Sequence, residues 1–184
     1  MRRRMGVVRV LAAAAVAAGL LTGVGATPAS ALQAHPLRNH NSGKCLEIAD
    51  WRMDLGAPAR QWDCTGGDNQ LWLAVQGSNG TQFVNLHSGQ CLEIADWRTD
   101  AGAPARQWYC TGGANQAWSY REVGPGIPSD PNIAEYLVNQ NSAKFLEVAD
   151  WRTDNGAPVR QWPAGGRQAN MEWDYCYPWI SCAG

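Results

Sequence analysis

One segment of the sequence occurs three times, and this repetition constrains the fold more than any other feature. Each copy begins with a short apolar-acidic stretch that ends in Ala-Asp-Trp-Arg, at residues 45–52, 91–98 and 145–152. It continues through Gly-Ala-Pro to Arg-Gln-Trp and closes near another tryptophan, at Trp72, Trp118 and Trp173. Such a period indicates one supersecondary unit that is built three times.

The apolar runs within each copy are short and rich in β-forming residues, and Gly, Pro, Asn and Asp separate them. No run keeps a helical period, so the pattern predicts about four strands per repeat and about twelve in all. A β-propeller needs four or more blades, and an open solenoid needs capping repeats that differ from the rest. The three near-identical copies therefore favour a closed all-β barrel with pseudo-three-fold symmetry, with repeats at about 37–80, 83–121 and 137–175.

The spacing of the copies is uneven, because eight additional residues separate the second from the third. They fall between positions 122 and 134, a stretch that contains Pro125, Pro128 and Pro131. We interpret this stretch as a surface loop lengthened by insertion, and we assign it no chemistry.

The first 31 residues have the three parts of a secretory signal peptide. Arg2, Arg3 and Arg4 form a basic start, residues 10–21 are apolar, and Ala29-Ser30-Ala31 matches a cleavage site. The apolar run is too short for a good membrane span. We expect a secreted, extracellular protein made of residues 32–184, without a membrane span in its mature form.

Removal of that segment changes the charge of the chain, since it carries four Arg and no acid. The remaining 11 Lys and Arg against 16 Asp and Glu give a formal charge of −5. An acidic chain without a Lys/Arg cluster argues against nucleic acid and against anionic membranes as partners.

The six cysteines follow the repeat. Cys45 and Cys64 are 19 residues apart, as are Cys91 and Cys110, whereas the third copy has Phe145 and Ala164 at both matching positions. Paired residues are expected to be present or absent together, so we predict the disulfides Cys45–Cys64 and Cys91–Cys110. Cys176 and Cys182 are then left to pair with each other. Six cysteines allow 15 connectivities, of which the repeat selects this one.

The combination Cys-Leu-Glu-Ile, Gln-Trp-x-Cys and Asn69-Gln70-Leu71-Trp72 resembles the ricin B-type lectin repeat. The resemblance extends from about residue 37 to residue 173, with three closing motifs in register. It implies a β-trefoil of three four-stranded repeats and a protein that binds a glycan or polysaccharide in up to three shallow sites.

The resemblance also implies roles for particular residues. An acidic side chain accepts hydrogen bonds from sugar hydroxyls, an aromatic ring stacks on the pyranose, and side-chain amides complete the site. The residues at these positions are Glu47, Trp62, Asn69 and Gln70 in the first repeat, Glu93, Trp108, Asn115 and Gln116 in the second, and Glu147, Trp162 and Asn170 in the third. Such a set suits a ligand with one apolar face and many hydroxyls.

Three departures from the family pattern bear on binding. Glu replaces the usual Asp, and arginines stand where a neutral polar residue is common, at Arg60, Arg106 and Arg160. Either Arg60 pairs with Glu47 and fills the site as a brace, or it holds a ligand carboxylate and favours an acidic sugar such as a uronic acid. The third repeat has Met171 in place of Gln and no cysteine pair, so we predict the weakest site there.

The other tryptophans divide into two groups. The closing residues Trp72, Trp118 and Trp173 are expected in the core. The Asp-Trp-Arg tryptophans, Trp51, Trp97 and Trp151, either pack over the fold or belong to a recognition surface. Asp50 and Arg52 are expected to form a bracing pair within that loop.

The residues bear on three classes of function. A non-catalytic lectin is the leading one, acting as a monomer without cofactor or metal. An enzyme is disfavoured, because each candidate Glu recurs in the same setting and His35, His40 and His87 form no recognisable triad. A protein-binding trefoil, such as a secreted inhibitor or toxin-associated module, remains the alternative, since one fold serves many functions.

Overall fold

The computed structural model describes residues 33–122 and 135–176. Within these residues the chain forms twelve strands and six 3₁₀ turns, which is four strands and two turns per repeat. The predicted all-β fold with about twelve strands is confirmed. The described helical segments are single turns of three residues, none of which has the length and hydrophobicity to cross a membrane.

The strands are short and recur at the same places in each repeat. They are β1 (His35–Asn39), β2 (Cys45–Ile48), β3 (Ala59–Trp62), β4 (Leu71–Gln76), β5 (Thr81–Asn85), β6 (Cys91–Ile94), β7 (Ala105–Trp108), β8 (Trp118–Glu122), β9 (Glu135–Asn139), β10 (Phe145–Val148), β11 (Val159–Trp162) and β12 (Glu172–Tyr175). The 3₁₀ turns are Ala49–Trp51, Asp68–Gln70, Ala95–Trp97, Ala114–Gln116, Ala149–Trp151 and Ala169–Met171.

Six of the strands close into a barrel. Antiparallel pairing runs from β1 to β4, β5, β8, β9 and β12, and β12 pairs with β1 again. The remaining six form three hairpins, β2–β3, β6–β7 and β10–β11, each with the same four-residue register. This is the closed pseudo-three-fold barrel that the repeats predict and the β-trefoil that the family resemblance implies. Closure leaves the barrel strands without an unpaired edge.

The three hairpins are held together by the middle residue of Arg-Gln-Trp. Gln61 is fully buried, its Nε2 donates to the carbonyls of Arg152 and Asp154 at 3.0 Å each, and its Oε1 accepts from Ser42 Oγ at 2.6 Å. Gln107 and Gln161 make the equivalent bonds, so that each repeat binds the loop of the repeat before it in a closed cycle. The cycle explains why this Gln occurs in all three copies.

The closing tryptophans form the centre of the core, as predicted. Trp72, Trp118 and Trp173 are at most 1% exposed. Each indole N–H is satisfied, because it donates to the carbonyl of the apolar residue before the repeated Glu: Leu46, Leu92 or Leu146. Satisfying this donor allows the large ring to be buried at no hydrogen-bonding cost.

Disulfides join Cys45 to Cys64 and Cys91 to Cys110, which are the two pairings predicted within repeats. The third repeat replaces the covalent link by an apolar cluster of Val138, Phe145 and Met171, against which Tyr136 packs. The predicted Cys176–Cys182 pair includes a residue outside the described ones. The proposed leader, residues 1–31, and most of the inserted loop, residues 123–134, also lie outside them.

Candidate functional site

Each hairpin places a glutamate directly opposite an arginine. In the first repeat the β2–β3 register pairs Glu47 with Arg60, and the second and third repeats pair Glu93 with Arg106 and Glu147 with Arg160. Side chains directly opposite in an antiparallel pair contact each other. The repeated Glu and the repeated Arg therefore form one unit per repeat.

Glu47 is a buried carboxylate with three side-chain donors. Its Oε1 accepts from Arg60 Nε at 2.8 Å, and its Oε2 accepts from Gln70 Nε2 at 3.0 Å and from Asn69 Nδ2 at 3.3 Å. The residue is only 4% exposed. Several donors directed at one carboxylate hold it in a single orientation and offset the cost of its burial.

Arg60 interacts with a second carboxylate and with an aromatic ring. One Nη donates to Asp50 at 2.9 Å, and the guanidinium carbon lies 4.4 Å from the centre of the Trp62 ring. Burial alone would lower the pKa of Arg60, but its hydrogen bonds to Glu47 and Asp50 outweigh burial and raise the pKa above its ordinary value. The arginine therefore remains charged and covers one side of Trp62.

The Glu–Arg pair does not fill the site. An open cavity of about 240 Å³ lies over it. The residues lining the cavity are Glu47, Asp50, Trp51, Arg60, Trp62, Thr65 and Asn69. Two aromatic rings, a guanidinium, two carboxylates, a hydroxyl and an amide thus surround one concave space.

The second repeat repeats this arrangement closely. Glu93 accepts from Arg106, Asn115 and Gln116 at 2.9 to 3.1 Å, and Arg106 lies 4.5 Å from the ring centre of Trp108. A cavity of about 180 Å³ is lined by the residues equivalent to those of the first repeat: Glu93, Asp96, Trp97, Arg106, Trp108, Thr111 and Asn115. The same geometry thus arises twice from the same residues.

The third repeat keeps part of the arrangement. Glu147 accepts from Arg160 Nε at 2.7 Å and from Asn170 Nδ2 at 3.2 Å. Met171 replaces the amide donor and is fully buried in the apolar cluster. Burial raises the pKa of Glu147 above its ordinary value, although the hydrogen bond from Arg160 opposes the shift. The carboxylate of this repeat is therefore compensated less fully by its neighbours.

The structure separates the predicted site residues into two groups. Glu47, Arg60, Trp62 and Asn69 line the cavity of the first repeat, as their equivalents do in the second. Gln70 and Gln116 are at most 1% exposed and do not line the cavities. Gln70 instead lies behind Glu47, where its Nε2 also donates to the carbonyl of Asp63 and its Oε1 accepts from the N–H of Thr65.

Three cavity residues were not among the predicted site residues: Asp50, Trp51 and Thr65. The signal for the first two was present, since Asp-Trp follows the repeated Glu in every copy. The predicted Asp50–Arg52 pair is wrong. Asp50 pairs with Arg60, while Arg52 pairs through two nitrogens with Asp54, because the turn between them directs their side chains to different partners.

The described residues contain no group of three or more His, Cys, Asp or Glu side chains that could hold a metal ion. The charged groups of the first cavity are two carboxylates and one guanidinium, which gives it a formal charge of −1. The arrangement can orient a polar ligand by hydrogen bonds and contact an apolar face through indole rings.

Comparison with known proteins gives a consistent result. The family model of the ricin-type beta-trefoil lectin domain matches residues 33–173. A designed 3-fold symmetric protein, ThreeFoil, is 32% identical with a TM-score of 0.69, over 77% of this chain and 96% of that chain. The exo-β-1,3-galactanase 1,3Gal43A from Clostridium thermocellum is 29% identical with a TM-score of 0.70, over 80% of this chain and only 30% of that chain.

A more distant structure shares the fold. The ricin B-like lectin of Macrolepiota procera, solved in complex with lactose, is 16% identical with a TM-score of 0.66, over 83% of this chain and the whole of that chain. The match of the family model confirms the resemblance inferred from the repeat motifs.

Proposed function

We propose, from the premise that this chain belongs to the ricin-type beta-trefoil lectin domain family, that it binds carbohydrate in the cavities over Glu47 and Glu93. The observation that carries the proposal is the buried carboxylate held by three donors beneath a tryptophan-walled cavity, found in two repeats. A carboxylate whose orientation is already set accepts a hydrogen bond from a sugar hydroxyl without loss of side-chain entropy on binding.

The chemistry of a pyranose matches the cavity walls. Its apolar C–H face requires an aromatic surface, and its hydroxyls require donors and acceptors at fixed positions. Glu47 and Asp50 supply acceptors, and Arg60 supplies donors. The N–H groups of Asn69 already donate to Glu47 and to the carbonyl of Ile48, which leaves its Oδ1 as the atom without a partner. The Thr65 hydroxyl already donates to Gln70 Oε1 and offers a further acceptor. Gln70 acts indirectly, because it positions Glu47 and the 63–65 loop without reaching the ligand.

The charge of the cavity favours a neutral sugar over an acidic one. A uronic acid would need a free guanidinium, but Arg60 already donates to Glu47 and Asp50. The net charge of −1 would repel an additional carboxylate at a distance of a few ångströms. Of the two sequence-based hypotheses for the arginine, this geometry supports neither as stated, because Arg60 braces the glutamate without closing the site.

Each cavity is small and open, so a single sugar should bind weakly, with Kd on the order of millimolar to micromolar. Two similar cavities on one rigid body would raise the apparent affinity for a polymer or a glycan-covered surface. We expect the third repeat to contribute least, since Met171 removes one of the donors to its glutamate.

The proposal includes a secreted, extracellular and monomeric protein without catalytic activity. The basic, apolar and small-residue parts of residues 1–31 support export, as do two disulfides, which persist in oxidising compartments. Both carboxylates of the first cavity, Glu47 and Asp50, accept hydrogen bonds from Arg60, whereas glycoside hydrolysis needs one carboxyl group that donates a proton and one that does not.

Affinity electrophoresis of the protein through gels that contain single polysaccharides tests the proposal. The panel comprises a β-1,3-galactan, other neutral polysaccharides (glucans, xylans and mannans) and a polyuronate. Lactose serves as a soluble competitor. We expect retardation by at least one neutral polymer and none by the polyuronate.

The matched control is Met53→Ala, which removes an exposed apolar side chain outside the cavity lining and should migrate like the parent protein. Free migration of the folded protein in every gel contradicts the proposed function. Retardation by the polyuronate alone contradicts the assignment to neutral sugars.

A further inference from the structure

The Asp-Trp turn next to the cavity has an unusual backbone. Asp50 and Trp51 both adopt the left-handed conformation, with φ of 56° at each, and the same holds for the equivalent residues of the other repeats. Glycine and asparagine tolerate this conformation, whereas a bulky side chain is strained there. Trp51 is nevertheless 51% exposed and Trp97 is 55% exposed, so burial of the ring does not explain the strain.

A glycine on the facing loop makes room for this ring. A Cβ on Gly67 would lie 2.7 Å from Cζ2 of Trp51, and a Cβ on Gly113 would lie 2.7 Å from Cζ2 of Trp97. Both glycines have ordinary extended backbone angles, with φ of −70° and −66°, so backbone conformation does not require glycine there. The absence of a side chain lets the indole lie directly against the loop.

A second contact limits movement of the turn. His87 Nε2 lies 3.1 Å from the carbonyl oxygen of Trp51, and its ring meets the indole edge-on with centroids 5.0 Å apart. In the second repeat the amide of Asn141 donates to the carbonyl of Trp97 at 3.1 Å. The backbone of the turn is therefore held in both repeats, and in the first repeat the histidine ring also contacts the indole.

The other tryptophan of the cavity is less available. Arg60 lies over the ring of Trp62, and the ring edge at Cζ3 is 3.7 Å from a Cβ placed on Gly156 of the third repeat. Trp108 has the same neighbours, Arg106 and Gly56. Stacking a pyranose on the covered side of Trp62 would require the guanidinium to leave its two carboxylates.

We propose that the sugar stacks on Trp51 and Trp97, while Trp62 and Trp108 support the arginines. This inference rests on the proposed function and concerns which rings contact the ligand. The strained turn is explained by this role, because it presents an indole to solvent beside the acceptors Glu47 and Asp50. The third repeat lacks the facing glycine, since Gln168 precedes its 3₁₀ turn where Gly67 and Gly113 stand in the others.

Two double variants test the proposal by titration with the glycan that retards the parent protein. Trp51→Ala/Trp97→Ala should weaken binding by about tenfold or more, corresponding to about 1.4 kcal/mol. Its thermal unfolding should change little, because both rings are half exposed. Trp151→Ala is the matched control and should retain nearly the full affinity.

Gly67→Ala/Gly113→Ala keeps both indoles but displaces them, and it should also weaken binding. The added Cβ would also lie 3.0 Å from Asn69 Oδ1 and 2.8 Å from Asn115 Oδ1, so the inference is decided by Trp51→Ala/Trp97→Ala, which adds no atom beside either amide. Parent-like affinity of Trp51→Ala/Trp97→Ala overturns the inference while leaving the proposed function intact. Absence of glycan binding by the parent protein overturns the proposed function instead, so the two failures are distinguishable.

Discussion

Arg60 donates from Nε to Oε1 of Glu47 at 2.8 Å, across the floor of the first cavity. The contact holds a buried carboxylate in place, and the same guanidinium covers the ring of Trp62. Because the pair lies below the cavity and not within it, a departure from the usual residues of this family leaves the site open. The stability of the hairpin and the geometry of the site thus depend on the same side chains.

Replacement of the glutamate tests that dependence. Glu47→Ala removes the acceptor of three hydrogen bonds, and buried donors without partners cost about 1–3 kcal/mol. Glu93→Ala should cost the same, because its contacts match. Glu147→Ala should cost less, since Met171 leaves one donor fewer and burial already disfavours the charged form of Glu147. Unfolding in guanidinium chloride measures all three, and an equal or larger loss for Glu147→Ala contradicts this account.

The cyclic contacts of the hairpins predict three equal effects. Gln61→Ala removes the acceptor of Ser42 and the donor to two carbonyls of the third repeat, all in a buried position. We expect a loss of about 3 kcal/mol in the free energy of unfolding. Gln107→Ala and Gln161→Ala should agree with it within about 1 kcal/mol. The control is Met53→Ala, which changes an exposed residue. Strongly unequal losses of unfolding free energy among the three glutamine variants would count against a closed cycle.

Removal of either disulfide should weaken the protein without abolishing the fold. A closed loop of 19 residues contributes about 3 kcal/mol in the chain-entropy account. The third repeat already folds around an apolar cluster where the others have cystine. The pairs Cys45→Ala/Cys64→Ala and Cys91→Ala/Cys110→Ala should lower Tm by similar amounts and keep a β-rich circular dichroism spectrum. A largely unfolded variant contradicts this expectation.

The Arg–Asp pairs of the three loops predict a dependence on acid. Hydrogen bonds from Arg52, Arg98 and Arg152 lower the pKa of Asp54, Asp100 and Asp154 below the ordinary value of 3.8. Since the folded-state pKa is the lower one, the pairs stabilise the protein above pH 3.8, and this contribution is lost as the pH falls through the folded-state values.

The triple variant Asp54→Asn/Asp100→Asn/Asp154→Asn should therefore have a lower Tm than the parent at pH 7. The difference should be small, because the pairs are exposed, and it should shrink in high salt. It should close once the pH falls below the folded-state pKa values of the three aspartates. A difference that persists or widens in acid shows that the loops are stabilised in some other way.

Much of the fold followed from the register of the repeats. Cys45 and Cys64 could be paired because both are replaced together in the third copy. A Glu47–Arg60 pair was one of two hypotheses for the arginine, and the hairpin register places the two residues opposite each other. The role of Gln61 could not be predicted, since its partners lie in another repeat and meet it only when the barrel closes. The path of the Asp-Trp turn also escaped prediction. Its left-handed backbone sends Asp50 to Arg60 and not to Arg52.

The site was predicted in composition better than in geometry. The residue types that surround the cavity follow from the motif, but the motif does not show that Gln70 faces away or that Arg60 covers Trp62. The positions of Gln70 and Arg60 depend on which donors reach the buried carboxylate of Glu47, and this is decided only when the chain has folded. The sequence shows that Trp51 recurs in each repeat, but it does not show that the side chain is exposed.

The central claim is that the cavities over Glu47 and Glu93 bind carbohydrate, and calorimetric titration of Glu47→Gln/Glu93→Gln tests it most directly. The substitution keeps the shape of both side chains and removes the charged acceptors. A cooperative thermal unfolding transition confirms that the variant is folded. With the neutral glycan that retards the parent protein, the account predicts about tenfold or greater loss of affinity, and near-parent affinity for Glu147→Gln. Parent-like binding by the folded double variant would contradict it.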